Sequence, residues 1–481
     1  MSILSQLLSD FFNSSNLFSN ICNKADSFTY PFVLKNQYFD TAMLIHEIGK
    51  FSYSLAQFTF KAILEKADTE FRNLPGRTKR WYVKNTRCRT ITTPFGDVIY
   101  KRTIYSSCLD EKKLFCYVDE KFGIPKYDRY DPCVKAMAID LYSKHNSMIK
   151  VGQIIGQYIS SPFSLDKNRS INALPRQTVF AFLKSRPRIR EPLSPRKATP
   201  SHLYIMADEK WIALQSHNED GTKQRNMTRA AVVFEDVEDD PSQKKRHRLV
   251  NRFVFFENEE DFWPSLHSRL GELYDMDKIE KIWIMGDGAS WIKNGQYEFR
   301  SPSTDTDFSL DKFHFGQSLN RITQDENIRD QLFEYIIEDN DKNSFKLAVE
   351  AIIEASPERK DIIEQNLKYI LNNWNAIQNS RKECFMPCSM ESAISHHICS
   401  MFTSVPKAYI KENLTRYLDI RMNTLNGIDN VSQYIRSVGH SENEKGFVEI
   451  KKEYDLSIFD GPKETYAFNL PADSWMKNTL Y

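Results

Sequence analysis

The stretch Ile284-Met-Gly-Asp-Gly-Ala-Ser-Trp-Ile292 sets an aspartate between two glycines directly after an apolar run. Lys281 to Met285 is short, rich in β-branched and aromatic side chains, and closed by Gly286. That pattern predicts a strand buried in a sheet rather than a surface helix. Asp287 then stands at the strand's carboxyl end, where loops of an open α/β sheet hold side chains above a rigid platform. Asp-Gly is also ordinary turn chemistry, so the reading depends on a second acid in an equivalent place. His202-Leu-Tyr-Ile-Met-Ala-Asp208 has the same form, an apolar run of strand length ending on an acid. If the two strands are parallel neighbours, both carboxylates reach one edge, a geometry suited to a hard divalent cation held through oxygen ligands.

Outward from these strands, 202–207, 210–215, 229–235 and 249–256 read as strands, followed by a helix through Phe262, Leu266, Leu270 and Leu273 and then the strand before Asp287. Antiparallel strands, a crossover helix and a parallel strand predict a mixed α/β sheet. A shorter strand, Thr306 to Leu310, leads into Asp311-Lys-Phe-His314. From about 316 to 380 apolar stripes at helical spacing (Ile328, Leu332, Ile336; Phe345, Val349, Ile353; Ile363, Leu367, Ile370, Trp374) predict an all-helical insertion. A further helix begins near Ser389. Glu391 in its first turn suits the helix dipole and on spacing alone is structural.

At 481 residues the chain exceeds one ordinary core and predicts two or three domains. Hydrophobic residues make up 41% and aromatics 13%, enough to exclude global disorder. With 65 basic against 64 acidic residues the net charge is +1, so a nucleic-acid partner has to be argued from where charge sits. MSILSQLLSDFF lacks a basic leader and a small-residue cleavage site, and no apolar run reaches bilayer length, which predicts a cytoplasmic protein. Eight scattered cysteines fit reduced thiols. Cys384 and Cys388 precede His396 and His397, but the spacing is loose and no second Cys pair flanks it, against structural zinc.

Residues 40–68 carry Leu44, Ile48, Phe51, Leu55, Phe58 and Ala62 at steps of four and three, the mark of an amphipathic helix. In Arg77-Thr-Lys-Arg-Trp-Tyr-Val-Lys-Asn-Thr-Arg-Cys-Arg89, Arg77, Lys79 and Arg80 stand beside Trp81, cations for phosphates next to a ring for stacking; a solvated basic face is the alternative. Residues 89–105 alternate on both sides of Pro94-Phe-Gly-Asp97, which predicts a β-hairpin with Lys101 and Arg102 outward. Three helices follow. The last, from Pro175, opens with Arg176, Gln177 and Thr178, donors placed as at the start of a base-reading helix, in an expanded helix-turn-helix or simply in packing. The proline- and arginine-rich 185–200 predicts a linker. The expected organisation is a helical region at 1–76, a DNA-binding region at 77–184, the linker at 185–200, a catalytic core at 201–315 and 386–428 interrupted by helices at 316–385, and a tail at 429–481 to which nothing is assigned.

Five blocks in order, Thr93-Pro-Phe-Gly-Asp-Val98, Leu203-Tyr-Ile-Met-Ala-Asp208, Met285-Gly-Asp-Gly-Ala-Ser-Trp-Ile-Lys293, Leu310-Asp-Lys-Phe-His314 and Cys388-Ser-Met-Glu391 with Ile394-Ser-His396, resemble the ISLre-type insertion-sequence transposases of bacteria, relatives of the Mutator-like DDE transposases. The resemblance spans roughly residues 70 to 428. It implies an RNase H-like fold, with Asp208, Asp287 and Glu391 as a catalytic, metal-binding DDE triad and Asp311 and His314 as a supporting Asp-x-x-His signature. It further implies about two Mg²⁺ ions, with Mn²⁺ able to substitute, and double-stranded DNA as partner, bound by at least a homodimer. Glu209-Lys210 and Lys407-Ala-Tyr-Ile410 depart from the family pattern without removing a ligand. A nuclease or resolvase on the same fold, or an inactive DNA-binding repressor, are the rival functions.

Overall fold

The computed structural model describes residues 41–159, 173–187, 192–239, 247–258, 261–382, 390–404 and 407–438. Cys384, Cys388 and the tail beyond 438 lie outside them, as do the middle of the linker and most of the basic loop before His247. The described chain divides into two compact units, one built on 58–91 and 99–129, the other on 92–98 and 130–435 together with 41–57.

In the first unit, the carboxyl-terminal part of α1 (Thr41–Arg72) lies with the hairpin of β1 (Trp81–Thr93) and β2 (Gly96–Ser107), the two-residue β3 (Leu114–Phe115) and α2 (Tyr117–Lys121). The hairpin is longer than its alternating core, because the basic stretch is itself strand. Leu64, Ile91, Tyr100, Cys116 and Val118 form one apolar cluster, and Phe71, Trp81 and Tyr105 another. Asp68, buried on α1, accepts from the Thr103 amide (3.0 Å) and hydroxyl (2.6 Å), which pins β2 to the helix.

Trp81 is 5% exposed and stacks on Phe115 at 4.8 Å. The expectation of a ring offered to nucleic acid is therefore corrected: Trp81 opens β1 on its inward face, and the neighbouring cations surround a core residue. Trp81→Ala should destabilise this unit by about 3 to 5 kcal/mol, the usual cost of emptying a buried aromatic site. Denaturant melts of the full chain check this, and a loss below about 1 kcal/mol would contradict the placement.

The second unit holds α3 (Pro132–His145), α4 (Met148–Ile159) and α5 (Arg176–Ser185), then a five-stranded sheet. Its strands are β4 (His202–His217), β5 (Lys223–Phe234), β8 (Phe253–Glu257), β9 (Lys281–Gly286) and β10 (Asp305–Leu310); β6 (Asp236–Asp239) and β7 (His247–Val250) form a separate ribbon. The order is β10-β9-β4-β5-β8, antiparallel from β4 through β5 to β8 and parallel from β4 through β9 to β10. Helices α6 (Phe262–Leu273) and α7 (Ser290–Phe299) make the two parallel crossovers. Central strands bury nearly continuous apolar runs, as strands covered on both faces require.

Two details differ from the sequence reading. The segments 202–207 and 210–215 are one strand, because β5 keeps hydrogen-bonding β4 past Asp208 while β9 stops at Gly286. The run 249–256 breaks at Asn251, which adopts φ 50°, leaving β7 and β8 in different sheets. The end of the linker is fastened down: Leu193 donates its amide to Glu272 at 2.7 Å, and Arg196 donates its own to the Leu273 carbonyl at 2.8 Å.

After β10 come α8 (Lys312–Ile322), α9 (Glu326–Ile337), α10 (Lys342–Ala355), α11 (Lys360–Asn372) and the short α12 (Trp374–Gln378). Asp325 and Asp341 each cap a helix by accepting two backbone amides. Leu332, Ile336, Phe345, Val349, Ile363 and Ile370 are buried between the helices as their spacing predicts, whereas Ile328 is 38% exposed. α13 (Met390–Ile394) runs into a π-helical turn, Ser395–Cys399, and α14 (Ser400–Phe402); α15 (Lys411–Leu425) and a helical stretch over 430–438 complete the described chain.

Candidate functional site

The register of the parallel strands builds the site. β4 and β9 pair through Met206 and Met285, so Asp208 and Asp287 stand at the same level, two residues further along neighbouring strands. β9 and β10 pair through Gly286 and Leu310, which puts Asp311 at that level as well. Three aspartates thus form a row across β4, β9 and β10, with adjacent strands about 4.8 Å apart. The sheet order alone could not be read from the sequence, which is why Asp311 appeared there only as part of a motif.

Each acid is held locally. Asp208 accepts from the Glu209 amide at 2.7 Å, and Asp287 from the Ala289 amide at 2.9 Å. Asp311 is buried: its amide donates to the Gly286 carbonyl (2.9 Å), one carboxylate oxygen caps α8 through the Phe313 amide (3.0 Å), and the other meets His314 Nδ1 at 3.1 Å. Burial pushes the Asp208 carboxyl up to about 6; the Glu209 amide opposes this, and the neighbouring Asp287 charge adds to it. His314 is raised chiefly by its hydrogen bond to Asp311, and the charges of Asp287 and Asp208 raise it further. Burial lowers Lys293, against the pull of Asp287. The Asp287 charge thus adds to burial in disfavouring the charged form of Asp208 at this sheet edge.

Two further contacts escaped the sequence reading. Tyr369 on α11 donates its hydroxyl to the Asp287 carbonyl, tying the helical insertion to the loop that bears the acid. Glu209 accepts from the Trp291 indole, while Trp263 donates its indole to the Trp291 carbonyl at 2.6 Å, which fastens α7 beneath β4. Neither pairing has a local signal, since 82 positions separate the partners in the first and also in the second.

Glu391 lies in the first turn of α13, and α13 packs against β4 and β5; its side chain is outside the described residues. Among the described residues no three His, Cys, Asp or Glu side chains gather closely enough to hold a metal ion.

The residues expected to contact DNA separate into two kinds. Lys79, Arg80 and Lys101 are exposed. Arg77 is held inward, donating to the carbonyls of Trp81 (2.7 Å) and Arg72 (3.0 Å) with its guanidinium 5.4 Å from the Tyr105 ring. Arg102 is paired with Asp119, which also binds Arg89 at 2.9 Å. On α5, Val179, Phe182 and Leu183 are buried and Arg176 and Gln177 exposed, with Thr178 half-buried. Among the described residues no helix is long and apolar enough to cross a membrane.

Comparison with known proteins finds relatives in Caldanaerobacter subterraneus subsp. tengcongensis. UPF0236 protein TTE2489 is 28% identical over 400 residues, covering 82% of this chain and 81% of that one. UPF0236 protein TTE0402 is 27% identical over 401 residues, covering 82% and 76%. A third relative, 28% identical over 389 residues and covering 80% and 78%, has a name that joins eleven locus labels, TTE0033 to TTE2212. Among solved structures, the Drosophila P element transposase strand transfer complex aligns over 66% of this chain and 83% of that one at 11% identity; its TM-score of 0.23 carries no argument. The model of UPF0236, described as an uncharacterised protein family, matches residues 34–436 and so takes in the aspartate row, its flanking helices and the hairpin unit. The chain belongs to the uncharacterised protein family UPF0236.

Proposed function

We propose that this chain is a DNA transposase whose sheet is RNase H-like and whose acids Asp208, Asp287 and Glu391 hold the metal ions of a DDE site. The observation that carries the reading is the shared level of Asp208 and Asp287 on parallel neighbouring strands, with the helix bearing Glu391 packed on β4. Three antiparallel strands followed by two parallel ones through helical crossovers fit the fold that the motif resemblance implies. A relative whose name joins eleven locus labels in one bacterium fits a gene that copies itself.

A pair of Mg²⁺ ions, or Mn²⁺ in their place, bound by these oxygens would make an attacking hydroxyl reactive and neutralise charge on the phosphate and leaving oxygen. The chain's own residues prepare for this. Asp208, whose charged form burial disfavours, would have that charge offset by a bound cation; the Ala289 amide fixes Asp287 in direction. Asp311 engages His314 at Nδ1 and so presents Nε2 as the ring's remaining polar atom, suited to a phosphate oxygen beside the acids. Lys79, Arg80 and Lys101, exposed on the hairpin unit, supply phosphate contacts that position DNA without reading it. Two element ends must meet, which calls for at least a dimer on DNA.

Glu391→Gln tests the triad. The variant should bind end DNA as the parent does, yet lose Mg²⁺-dependent cleavage of that DNA and joining of a pre-cut end to target. Cleavage at the parental rate removes Glu391 from the site. Parental protein that cleaves but never joins a pre-cut end is a nuclease instead.

A further inference from the structure

Beside the far end of β4 the second unit opens a cleft of about 970 Å³. It is not the acid row: Gln215 on its wall lies seven positions along β4 from Asp208, roughly 23 Å at strand rise. Its walls come from the end of α3, the start of α4, the first turn of α5, the Lys407–Ile410 segment and α15, and no aspartate or glutamate is among the described residues that line it.

Two cations face this acid-poor space, Arg176 and Lys407. Neither forms an ion pair among the described residues; Lys407 instead donates Nζ to the Asn146 carbonyl at 2.8 Å. Asn146, held at φ 50° at the end of α3, gives its side-chain amide to the Met401 carbonyl, and its Oδ1 is buried without a partner, as is the Tyr409 hydroxyl. Behind these atoms the rings of Tyr142, Tyr417 and Tyr409 pack together at centroid distances of 5.0 and 6.1 Å. Cations without a carboxylate partner among the described residues, beside unmet polar atoms, match a ligand with a phosphate and a hydrogen-bonding edge; the tyrosine rings, buried against one another, form the floor and not a stacking platform. The size selects further. A B-form duplex, whose major groove alone is about 12 Å wide, does not enter such a cleft, whereas one or two unpaired nucleotides do.

We propose that this cleft receives one or two unpaired nucleotides of a DNA strand, with phosphate at Arg176 and Lys407 and a base edge at Gln177. The inference rests on the DNA-processing reading and reassigns the start of α5 from a duplex groove to a single strand. The test uses the full chain in EDTA, with fluorescent duplex that is blunt or carries a short single-stranded extension. The parent should bind the extended duplex at least 10-fold more tightly. Arg176→Ala with Lys407→Ala should remove that preference while blunt-duplex binding stays within twofold, and the exposed Gln177→Ala, which threatens the fold least, should reduce it in part. No preference in the parent, or equal losses on both DNAs, overturns the cleft assignment. Mg²⁺-dependent cleavage measured alongside separates the two readings: cleavage without the preference sinks only the cleft, and the preference without cleavage sinks only the acid site.

Discussion

Asp208→Asn is expected to abolish metal-dependent DNA cleavage and, at pH 7 without metal, to make the protein more stable. Losing a ligand of a phosphoryl-transfer site removes several kcal/mol of transition-state stabilisation, about three orders of magnitude in rate at 1.4 kcal/mol per tenfold. The stability gain follows from burial. The Asp208 carboxyl titrates at about 6 in the fold, above the ordinary value of about 3.9 in an unfolded chain. A raised acid contributes stability fully below the unfolded value and loses it as pH rises through 6, so the charged form at pH 7 costs about 3 kcal/mol. Asparagine removes that cost, and the melting temperature should rise by a few degrees at pH 7 and by nothing near pH 4. Divalent cation should stabilise the parent and leave the variant unmoved. Thermal melts at the two pH values, with and without Mg²⁺, check each arm; a variant that is less stable than the parent at pH 7 contradicts the buried, like-charged setting.

Gly286→Ala should disable the site through geometry alone. A Cβ on Gly286 would stand 2.7 Å from the Ala207 carbonyl oxygen and 2.8 Å from Ile292 Cδ1. One of these is backbone of the adjacent strand and cannot rotate away, so β9 has to part from β4 at the level of the two acids. Overpacking of this kind costs about 1 to 3 kcal/mol. Because the gap opens beside Asp208 and Asp287, cation affinity should fall at least tenfold even where the protein remains folded. Isothermal titration with Mn²⁺ at a temperature well below the melting point measures this; unchanged affinity would mean that Gly286 serves only as a strand end.

Asp208 and Asp287 were legible because both follow buried runs of strand length, and strand patterning is local. The full reach of β4 was not, since polar Glu209 and Lys210 break the apolar run while β5 continues to pair with them. Period-two alternation from Trp81 carried the signal that its ring is internal, but the surrounding cations masked it. The row's third member, Asp311, depends on which strand lies beside β9, and the seat of the helix carrying Glu391 depends on packing that no stretch near 391 encodes. Glu391 read as structural because an acid in a first helical turn suits the helix dipole whether or not it has any other role.

The attachment of Tyr369 to the Asp287 carbonyl has a consequence for synthesis on the ribosome. Asp208 and Asp287 leave the exit tunnel first, and the hydroxyl that steadies the second of them follows only after four more helices. At about 5 to 20 residues per second the interval is several seconds. On the proposed function, a nascent chain would during that interval expose its basic hairpin without a finished acid site, and could hold nearby DNA before it was able to break it.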